Sequence, residues 1–193
     1  GGGTAEPWRF IRQQFGSVVR TIANSNALFV AAINGPAAGV GMAFALACDV
    51  VIASKEKARI VPAFGRLGLL PEVGTSWALT RKLGYQGAFN FFMEGEPLDA
   101  DAALRLGLVQ RVVPHADLLP ASLAWCARML SLPPHTVEMT KTLLRSVADL
   151  PFEPALRMEE LAEANVFSTR ALPLAAHLVR GKPSNKPSPT SKL

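Results

Sequence analysis

The chain has 193 residues, 49% apolar and 18% charged, a composition typical of one buried core with at most one accessory subdomain. Residues 34–41 and Asp49 interrupt the longest apolar stretch, which excludes the run of about 18 apolar residues that a membrane span needs. Lysine and arginine exceed aspartate and glutamate by 20 to 15, and the net charge of +5 favours an anionic partner. Cys48 and Cys126 are the only cysteines, so neither a disulfide scaffold nor a CxxC metal site is available.

Helical and strand patterns alternate over the first part of the chain. Apolar residues at helical spacing predict a helix over residues 8–24, and the apolar run at residues 28–33 predicts a buried strand. The same reasoning predicts a series of further elements. They are a helix at 41–48, strands at 49–53 and 59–61, helices at 75–83 and 86–93 separated by Gly84, a helix at 99–106 capped by Asp99, and a strand at 108–113.

The pattern from Pro120 onward is helical only, with predicted helices at 120–130, 136–148, 153–167 and 172–179. Strands alternating with helices and followed by a helix cluster indicate an α/β protein. We therefore expect a core at residues 1–117, a helical region at 118–181 and a flexible, proline-rich tail at 182–193.

Residues 34–41, with the sequence NGPAAGVG, form a glycine turn between a predicted strand and a helix of small residues. Amides at the amino terminus of a helix attract negative charge, so this turn is suited to an oxyanion or a phosphate. A tight turn that requires only small residues explains the same pattern, and the GK[ST] ending of a P-loop is missing.

Glu72 lies at the end of a stretch, residues 60–73, that is otherwise apolar apart from Arg66. Such surroundings disfavour the charged form of a carboxylic acid, which makes it a stronger base for proton transfer. A capping or solvated glutamate just before the helix predicted at residue 75 explains the position equally well.

Taken together in order and spacing, several segments resemble the enoyl-CoA hydratase/isomerase (crotonase) superfamily. The resemblance covers residues 8–180, and its matches are AAINGPAAG at 31–39, CDVVIAS at 48–54, LGLLP at 67–71, and Gly95 through Ala102 and Ala103 to the GLV at 107–109. It implies a crotonase-like spiral of ββα turns with a helical carboxy-terminal trimerisation region. It also implies an acyl-CoA thioester as substrate and a homotrimer or a hexamer of two stacked trimers.

The resemblance further implies an oxyanion hole of two backbone amides, one of them the amide of Val40. The other belongs to a loop that, in the family, precedes the helix at residues 8–24. We expect that loop, with the amino-terminal part of the spiral core, to precede Gly1 in the complete protein.

Which carboxylates are present decides the reaction that the resemblance implies. Family hydratases use two glutamates, and the corresponding positions here are Ala43 and Phe64. Glu72 instead matches the single catalytic glutamate of the peroxisomal Δ3,Δ2-enoyl-CoA isomerases. That reaction moves a proton from C2 to C4 of a 3-enoyl thioester, in fatty acid β-oxidation, and uses neither a metal nor a redox cofactor.

Apolar side chains near Glu72 in sequence are candidates for the wall of a water-excluding substrate pocket. They are Phe64, Leu69, Leu70 and Trp77. Ordinary core packing accounts for the same residues at least as well.

The carboxy-terminal part of the chain carries two further candidate sites. Arg180 and Lys182 match the region where the family contributes basic residues to the phosphates of coenzyme A, although the dipole of a helix end also favours such a pair. Ser191, Lys192 and Leu193 form a peroxisomal import signal on the tail, to be read by the import receptor. We therefore expect a peroxisomal protein, or a cytoplasmic one if this tail is not a natural signal.

Two other readings of the sequence remain open. Aryl-CoA dehalogenases of the superfamily carry an aspartate nucleophile at the position of Glu72, and a non-catalytic scaffold or RNA-binding protein of this fold is the alternative of a different class. Nucleic-acid binding is disfavoured because the basic residues are scattered and the chain has one tyrosine. His115, His135 and His177 lack metal-ligand spacing and are interpreted as solvated or structural.

Overall fold

The computed structural model describes residues 5–168, and the chain divides into two compact units at residues 138 and 139. All strands of the described residues lie in the first unit. In chain order they are β1 (Val30–Ile33), β2 (Pro36–Ala38), β3 (Val50–Ser54), β4 (Arg59–Val61), β5 (Leu98–Asp99) and β6 (Arg111–Val113). None of the helices among residues 5–168 is long and apolar enough to cross a membrane.

The strands form two three-stranded sheets, in the orders β1-β3-β6 and β2-β4-β5. The first sheet is parallel, with Ala31 opposite Val51 and Ala53 opposite Val112. In the second sheet β2 and β4 are parallel, and β5 runs antiparallel to β4. Successive strands of the chain alternate between the two sheets up to β4, so the backbone winds through both sheets as a spiral.

The helices precede, separate and follow these strands along the chain. They are α1 (Ala5–Phe10), a π-helical segment (Ile11–Phe15), α2 (Gly16–Asn24), α3 (Val40–Ala47), α4 (Thr75–Glu94), α5 (Ala100–Arg105), α6 (Leu118–Leu130), α7 (Pro134–Val147) and α8 (Phe152–Val166), with 3-10 turns at Gly65–Leu67 and His115–Asp117. The predicted α/β class with a helical carboxy-terminal region is confirmed. The helix predicted at residues 172–179 lies outside the described residues, and the predicted division at residue 117 stays a prediction.

The structure confirms one local prediction in detail and differs from the sequence-based prediction at three strands. The carboxylate of Asp99 accepts a hydrogen bond of 2.7 Å from the amide of Ala102 and so caps α5. The strand predicted at 108–113 is too long, because the amides of Leu108 and Val109 both bond the carbonyl of Ala103 at the end of α5. Strands β2 and β5 were not predicted, since their few residues are held by pairing with β4 and not by their own preference.

The core of the first unit combines large and small apolar side chains. Met42, Ile52 and Leu79 are completely buried, and α3 contributes further buried alanines, Ala43 and Ala45. Because these side chains are small, α3 packs against β1 and β2, one strand from each sheet, and also against α2 and α4. Helix α3 is therefore the central element of the unit.

Gly84 interrupts α4 with a backbone conformation, φ 70° and ψ 173°, that only glycine adopts readily. The helix accordingly has two halves that meet at a kink. The predicted pair of helices separated by Gly84 is confirmed.

We expect Gly84→Ala to lower the free energy of unfolding by about 1–3 kcal/mol, because a Cβ strains this conformation although it would meet no atom within 4 Å. Gly41→Ala is the matched control, since its Cβ would also meet no atom within 4 Å. Gly41 lies inside α3 without a positive φ, so alanine there should raise stability by about 0.5–1 kcal/mol. Urea unfolding of both variants measures the two changes in the free energy of unfolding. Two changes of the same sign would contradict the explanation.

Candidate active site

The glycine turn carries the chain from one sheet to the other. Asn34 and Gly35 join β1 to β2, and the carbonyl of Gly35 accepts a hydrogen bond of 3.4 Å from the amide of Arg59 at the start of β4. Because this connection is only two residues long, the end of β1 and the start of β2 lie close together. The helix that follows β2 is positioned by both sheets.

Helix α3 begins at Val40, directly after Gly39 with φ 51° and ψ −119°. The carbonyl of Gly39 accepts a hydrogen bond of 3.1 Å from the amide of Ala43, which closes the first turn of the helix. The amides of the first turn have no acceptor within the helix, and the helix dipole makes this end partially positive. The amide of Val40 is thus placed as a donor to a negative oxygen, and its role in an oxyanion hole stays a prediction.

Glu72 begins a tight turn, residues 72–75, that ends at the first residue of α4; we call it the Glu72 turn. Its two middle residues both have positive φ, 54° at Val73 and 86° at Gly74, as in a type I′ turn. The carbonyl of Glu72 accepts two hydrogen bonds from Thr75, one from the amide at 3.0 Å and one from the hydroxyl at 2.8 Å. Thr75 is completely buried and Glu72 is half-buried.

The conformation of Val73 is strained, because a β-branched residue with positive φ brings its Cβ against the following carbonyl. Such strain costs about 1–3 kcal/mol. The two hydrogen bonds from Thr75, each contributing about 0.5–1.5 kcal/mol, offset a cost of that size. Residues held in strained conformations by their surroundings cluster at functional sites. The strain at Val73 therefore supports Glu72, its neighbour, as a candidate functional residue.

Helix α2 contacts both α3 and the Glu72 turn. It packs against α3, and a Cβ at Gly74 would lie 3.7 Å from Cγ1 of Val19 in α2. Helix α3 also packs against α4. Helix α2 therefore contacts both α3, which begins at Val40, and the turn that begins at Glu72.

The four apolar residues predicted to surround Glu72 have different environments. Phe64 is 3% exposed and packs edge to face on Phe92, with ring centroids 6.0 Å apart. Leu69 and Leu70 are exposed, and so is Trp77, whose ring faces the guanidinium of Arg81 at 4.1 Å. The structure therefore places Phe64 in the core and the other three on the surface of the unit, and their assignment to a substrate pocket stays a prediction.

An apolar cavity of about 460 Å³ lies beside the glycine turn. Its wall consists of residues from α2, β1, the glycine turn and α3, and the lining residues are Val18, Ile22, Ala31, Ala32, Ile33, Asn34, Gly35, Pro36, Ala37, Gly41, Phe44, Ala45 and Cys48. Glu72 is not one of the lining residues. The size is within the range of about 300–1,000 Å³ that is usual for small-molecule sites.

A cluster of polar side chains, Ser54, Glu56 and His115, lies at the end of β3. Nδ1 of His115 is 3.1 Å from the hydroxyl of the fully buried Ser54, and the backbone amide of His115 donates a 2.8 Å hydrogen bond to the carboxylate of Glu56. Backbone amides, first that of Glu56 and then that of His115, hold the pKa of the Glu56 carboxyl below its ordinary value of 4.5. The cluster ties β3 to the segment after β6, which supports the interpretation of His115 as structural.

Some predicted sites fall outside residues 5–168. These are Arg180 and Lys182, His177, and the import signal of Ser191, Lys192 and Leu193. Over the described part of the chain, no group of three or more His, Cys, Asp or Glu residues is arranged to hold a metal ion.

The sequence predicts Glu72 as a candidate base but does not predict the conformation of the turn that follows it. Val73 gave no signal, because nothing in its residue type indicates a positive φ. Thr75 offered a weak one, since a hydroxyl residue often precedes or begins a helix. The combination of a β-branched residue with Gly74 and a buried hydroxyl becomes visible only in three dimensions.

Three comparisons relate the chain to known proteins. A probable enoyl-CoA hydratase of Rhodobacter capsulatus is 37% identical over 107 residues, which are 55% of this chain and 41% of that protein. The 1,2-epoxyphenylacetyl-CoA isomerase of Escherichia coli is 29% identical over 149 residues, 77% of this chain and 56% of that protein. The crystal structure of a probable enoyl-CoA hydratase/isomerase from Mycobacterium abscessus superposes with a TM-score of 0.79 and 32% identity, over 85% of this chain and 62% of that one.

The spiral of two sheets and these likenesses define an α/β protein with the crotonase fold. The sequence model of the family described as enoyl-CoA hydratase/isomerase matches residues 3–176, and the chain belongs to that family. It spans about half the length of the relatives, from 41% of the Rhodobacter protein to 56% of the Escherichia coli protein.

The strain at Val73 predicts an unusual order of stability. We expect Val73→Gly to be more stable than Val73→Ala by about 1 kcal/mol, because both remove the two γ-methyl groups and only alanine retains a Cβ at φ 54°. At an ordinary helical position, such as the exposed Ala127 in α6, glycine should be the less stable by about 0.5–1 kcal/mol. Chemical unfolding of the variants tests this reversal, and the ordinary order at residue 73 would contradict it.

The lowered pKa of Glu56 predicts a pH-dependent contribution to stability. The folded protein holds this carboxyl ionised to lower pH than the unfolded chain does, so the stabilisation is complete above the ordinary value of 4.5 and is lost as pH falls through the folded pKa. Relative to wild type, Glu56→Gln should therefore be less stable at neutral pH, and the difference should shrink below about pH 4.5. Glu94→Gln, at the exposed end of α4, controls for the loss of one surface charge, and a pH-independent difference for Glu56→Gln would contradict the assignment.

Proposed function

We propose that the full-length protein is a Δ3,Δ2-enoyl-CoA isomerase of fatty acid β-oxidation, with Glu72 as its single proton-transfer base. The observation that carries the proposal is the pairing of one strained, doubly hydrogen-bonded Glu72 turn with two buried apolar side chains, Ala43 and Phe64. These two residues occupy the positions implied for the glutamates of a hydratase. One carboxylate suffices for isomerisation, whereas hydration needs a second group to activate water.

The reaction is balanced without a co-reactant. The carboxylate of Glu72 removes a proton from C2 of the 3-enoyl thioester, the electrons of that C–H bond form a C1=C2 double bond, and the carbonyl π electrons move onto the thioester oxygen to give a dienolate. In the second step the oxygen re-forms the carbonyl, the C1=C2 electrons move to C2=C3, and the C3=C4 electrons bond a proton at C4. The protonated Glu72 returns that proton. The acid is regenerated as a carboxylate, and no metal or redox group takes part in this scheme.

The thioester oxygen becomes negative in the intermediate and needs a donor that is already in place. The amide of Val40 supplies one such donor at the positive end of α3. Preorganised donors of this kind lower the barrier by about 3 kcal/mol each. The second donor that the family requires is proposed to lie in the loop preceding α1.

The remaining assignments are proposals of the same kind. The substrate is an acyl-CoA, and the apolar cavity beside the glycine turn offers space for apolar atoms of that substrate. Assembly into trimers, import into peroxisomes through the carboxy-terminal Ser191, Lys192 and Leu193, and phosphate contacts from Arg180 and Lys182 complete the proposal. The name of the Escherichia coli relative, a 1,2-epoxyphenylacetyl-CoA isomerase, supports isomerisation of a coenzyme A thioester, and the hydratase names of other relatives make hydration the second candidate.

We expect Glu72→Gln in the full-length protein to reduce kcat for 3-enoyl-CoA isomerisation by about 10²–10⁴-fold, since an amide cannot accept and return the proton. The measurement is conversion of a 3-enoyl-CoA to its 2-enoyl isomer, with hydration of 2-enoyl-CoA followed in parallel and expected to be negligible. Glu94→Gln makes the same chemical change at an exposed position of α4 and should leave kcat unchanged.

Equal turnover in wild type and Glu72→Gln, or hydration faster than isomerisation, would reject the proposal. A covalent adduct on Glu72 detected by mass spectrometry would indicate a nucleophile and favour dehalogenase-like chemistry. Absence of coenzyme A thioester binding, together with RNA binding that weakens steeply with salt, would favour the non-catalytic alternative.

A further inference from the structure

We propose that Thr75 is a positioning residue that fixes the direction of the Glu72 side chain, an inference that rests on the proposed function. The buried hydroxyl of Thr75 and the strained backbone of Val73 act on the same peptide unit, the one that joins Glu72 to Val73. The hydrogen bond holds this peptide unit against the relaxation of Val73, and the side chain of Glu72 is oriented as a result.

The carbonyl of Glu72 accepts two hydrogen bonds from one residue. The amide of Thr75 reaches it at 3.0 Å and the hydroxyl of Thr75 at 2.8 Å. Two donors that differ in direction restrict rotation of the carbonyl more than one donor does. Because the carbonyl carbon and Cβ are bonded to the same Cα atom, holding the carbonyl limits rotation about the Cα–C bond of Glu72 and so limits the directions in which its side chain leaves the backbone.

The hydroxyl of Thr75 opposes the tendency of the strained Val73 backbone to relax. A valine with φ 54° lowers its energy by rotating out of the left-handed region, and that rotation turns the peptide unit that contains the Glu72 carbonyl. With one of the two hydrogen bonds removed, the Glu72 turn relaxes toward a more extended form. The side chain of Glu72 then moves away from its position.

Thr75 is itself well anchored and does not contact solvent. Its exposed fraction is 0%, and the next turn of α4 places Ala78 and Leu79 in the core. A ligand in solution therefore has no access to its hydroxyl in the first unit. Any influence of Thr75 on a reaction passes through Glu72, which distinguishes it from a catalytic residue.

Thr75→Val in the full-length protein tests the proposal, because valine retains the shape of threonine and removes the hydroxyl. We expect kcat for 3-enoyl-CoA isomerisation to fall by about 10–100-fold, the size typical of a catalytic group displaced by about 1 Å, with KM changed by less than about threefold. Thr75→Ser restores the donor and should recover kcat to within about threefold of wild type.

Ser122→Ala is the matched control for the loss of a buried hydroxyl. Ser122 in α6 is 5% exposed and donates a 2.7 Å hydrogen bond to the carbonyl of Leu118. This variant should lower the thermal midpoint to a degree similar to that of Thr75→Val and leave kcat unchanged. If Thr75→Val does not fold, Thr75→Ala carries the same expectation.

Unchanged kcat in Thr75→Val, or equal loss in Thr75→Ser and Thr75→Val, would overturn the positioning role. Failure of both Thr75→Val and Thr75→Ala to fold while Ser122→Ala folds would also overturn it, because the hydroxyl would then be needed for the fold itself. The wild type and Glu72→Gln are measured in the same series. Equal turnover in those two proteins rejects the isomerase proposal separately, whatever the Thr75 variants do.

Discussion

Close packing of α3 against strands from both sheets is the constraint on which the first unit depends. Only small side chains such as Ala43 and Ala45 allow a helix to approach two sheets at once, and both are buried. The same packing fixes the amino terminus of α3, so the amide of Val40 is held by the core and not by a mobile loop. It also brings α2 and α4 against α3, and with them the Glu72 turn.

The Glu72 turn shows how a side chain can be oriented without being buried. Glu72 is half-buried, and the residues that determine its direction are a strained neighbour, Val73, and the buried Thr75. Glycine at position 73 would adopt the positive φ with less strain, but it would also leave the backbone of the turn more flexible and the direction of Glu72 less well defined. The conflict between the backbone preference of Val73 and the hydrogen bonds from Thr75 to Glu72 is thus confined to the four-residue turn that begins at the proposed base.

Sequence patterns predicted the parts of the fold that local chemistry decides. Asp99 capped the predicted helix, Gly84 divided the predicted pair in α4, and the apolar run around Val30 formed a strand. That strand was predicted to be buried, but in β1 only Ile33 is buried and Ala32 is exposed. Strand β2, with the sequence PAA, could not be predicted because pairing with β4 alone defines it. In the candidate site, residue type predicts Glu72 as a base, and that role stays a prediction, whereas the positive φ of Val73 and the exposure of Trp77 depend on packing that no local pattern encodes.

The parallel sheet also has a consequence for how the chain folds. The amide of Val51 in β3 bonds the side chain of Gln110, 59 residues away, next to the pairing of β3 with β6. The intervening chain contains α4 and α5, which form through local contacts. Closing so long a loop requires a large loss of chain entropy before any strand contact compensates it. The third strand of the sheet therefore belongs to the slow, high-contact-order part of folding, and the helices inside the loop shorten the distance that this search must cover.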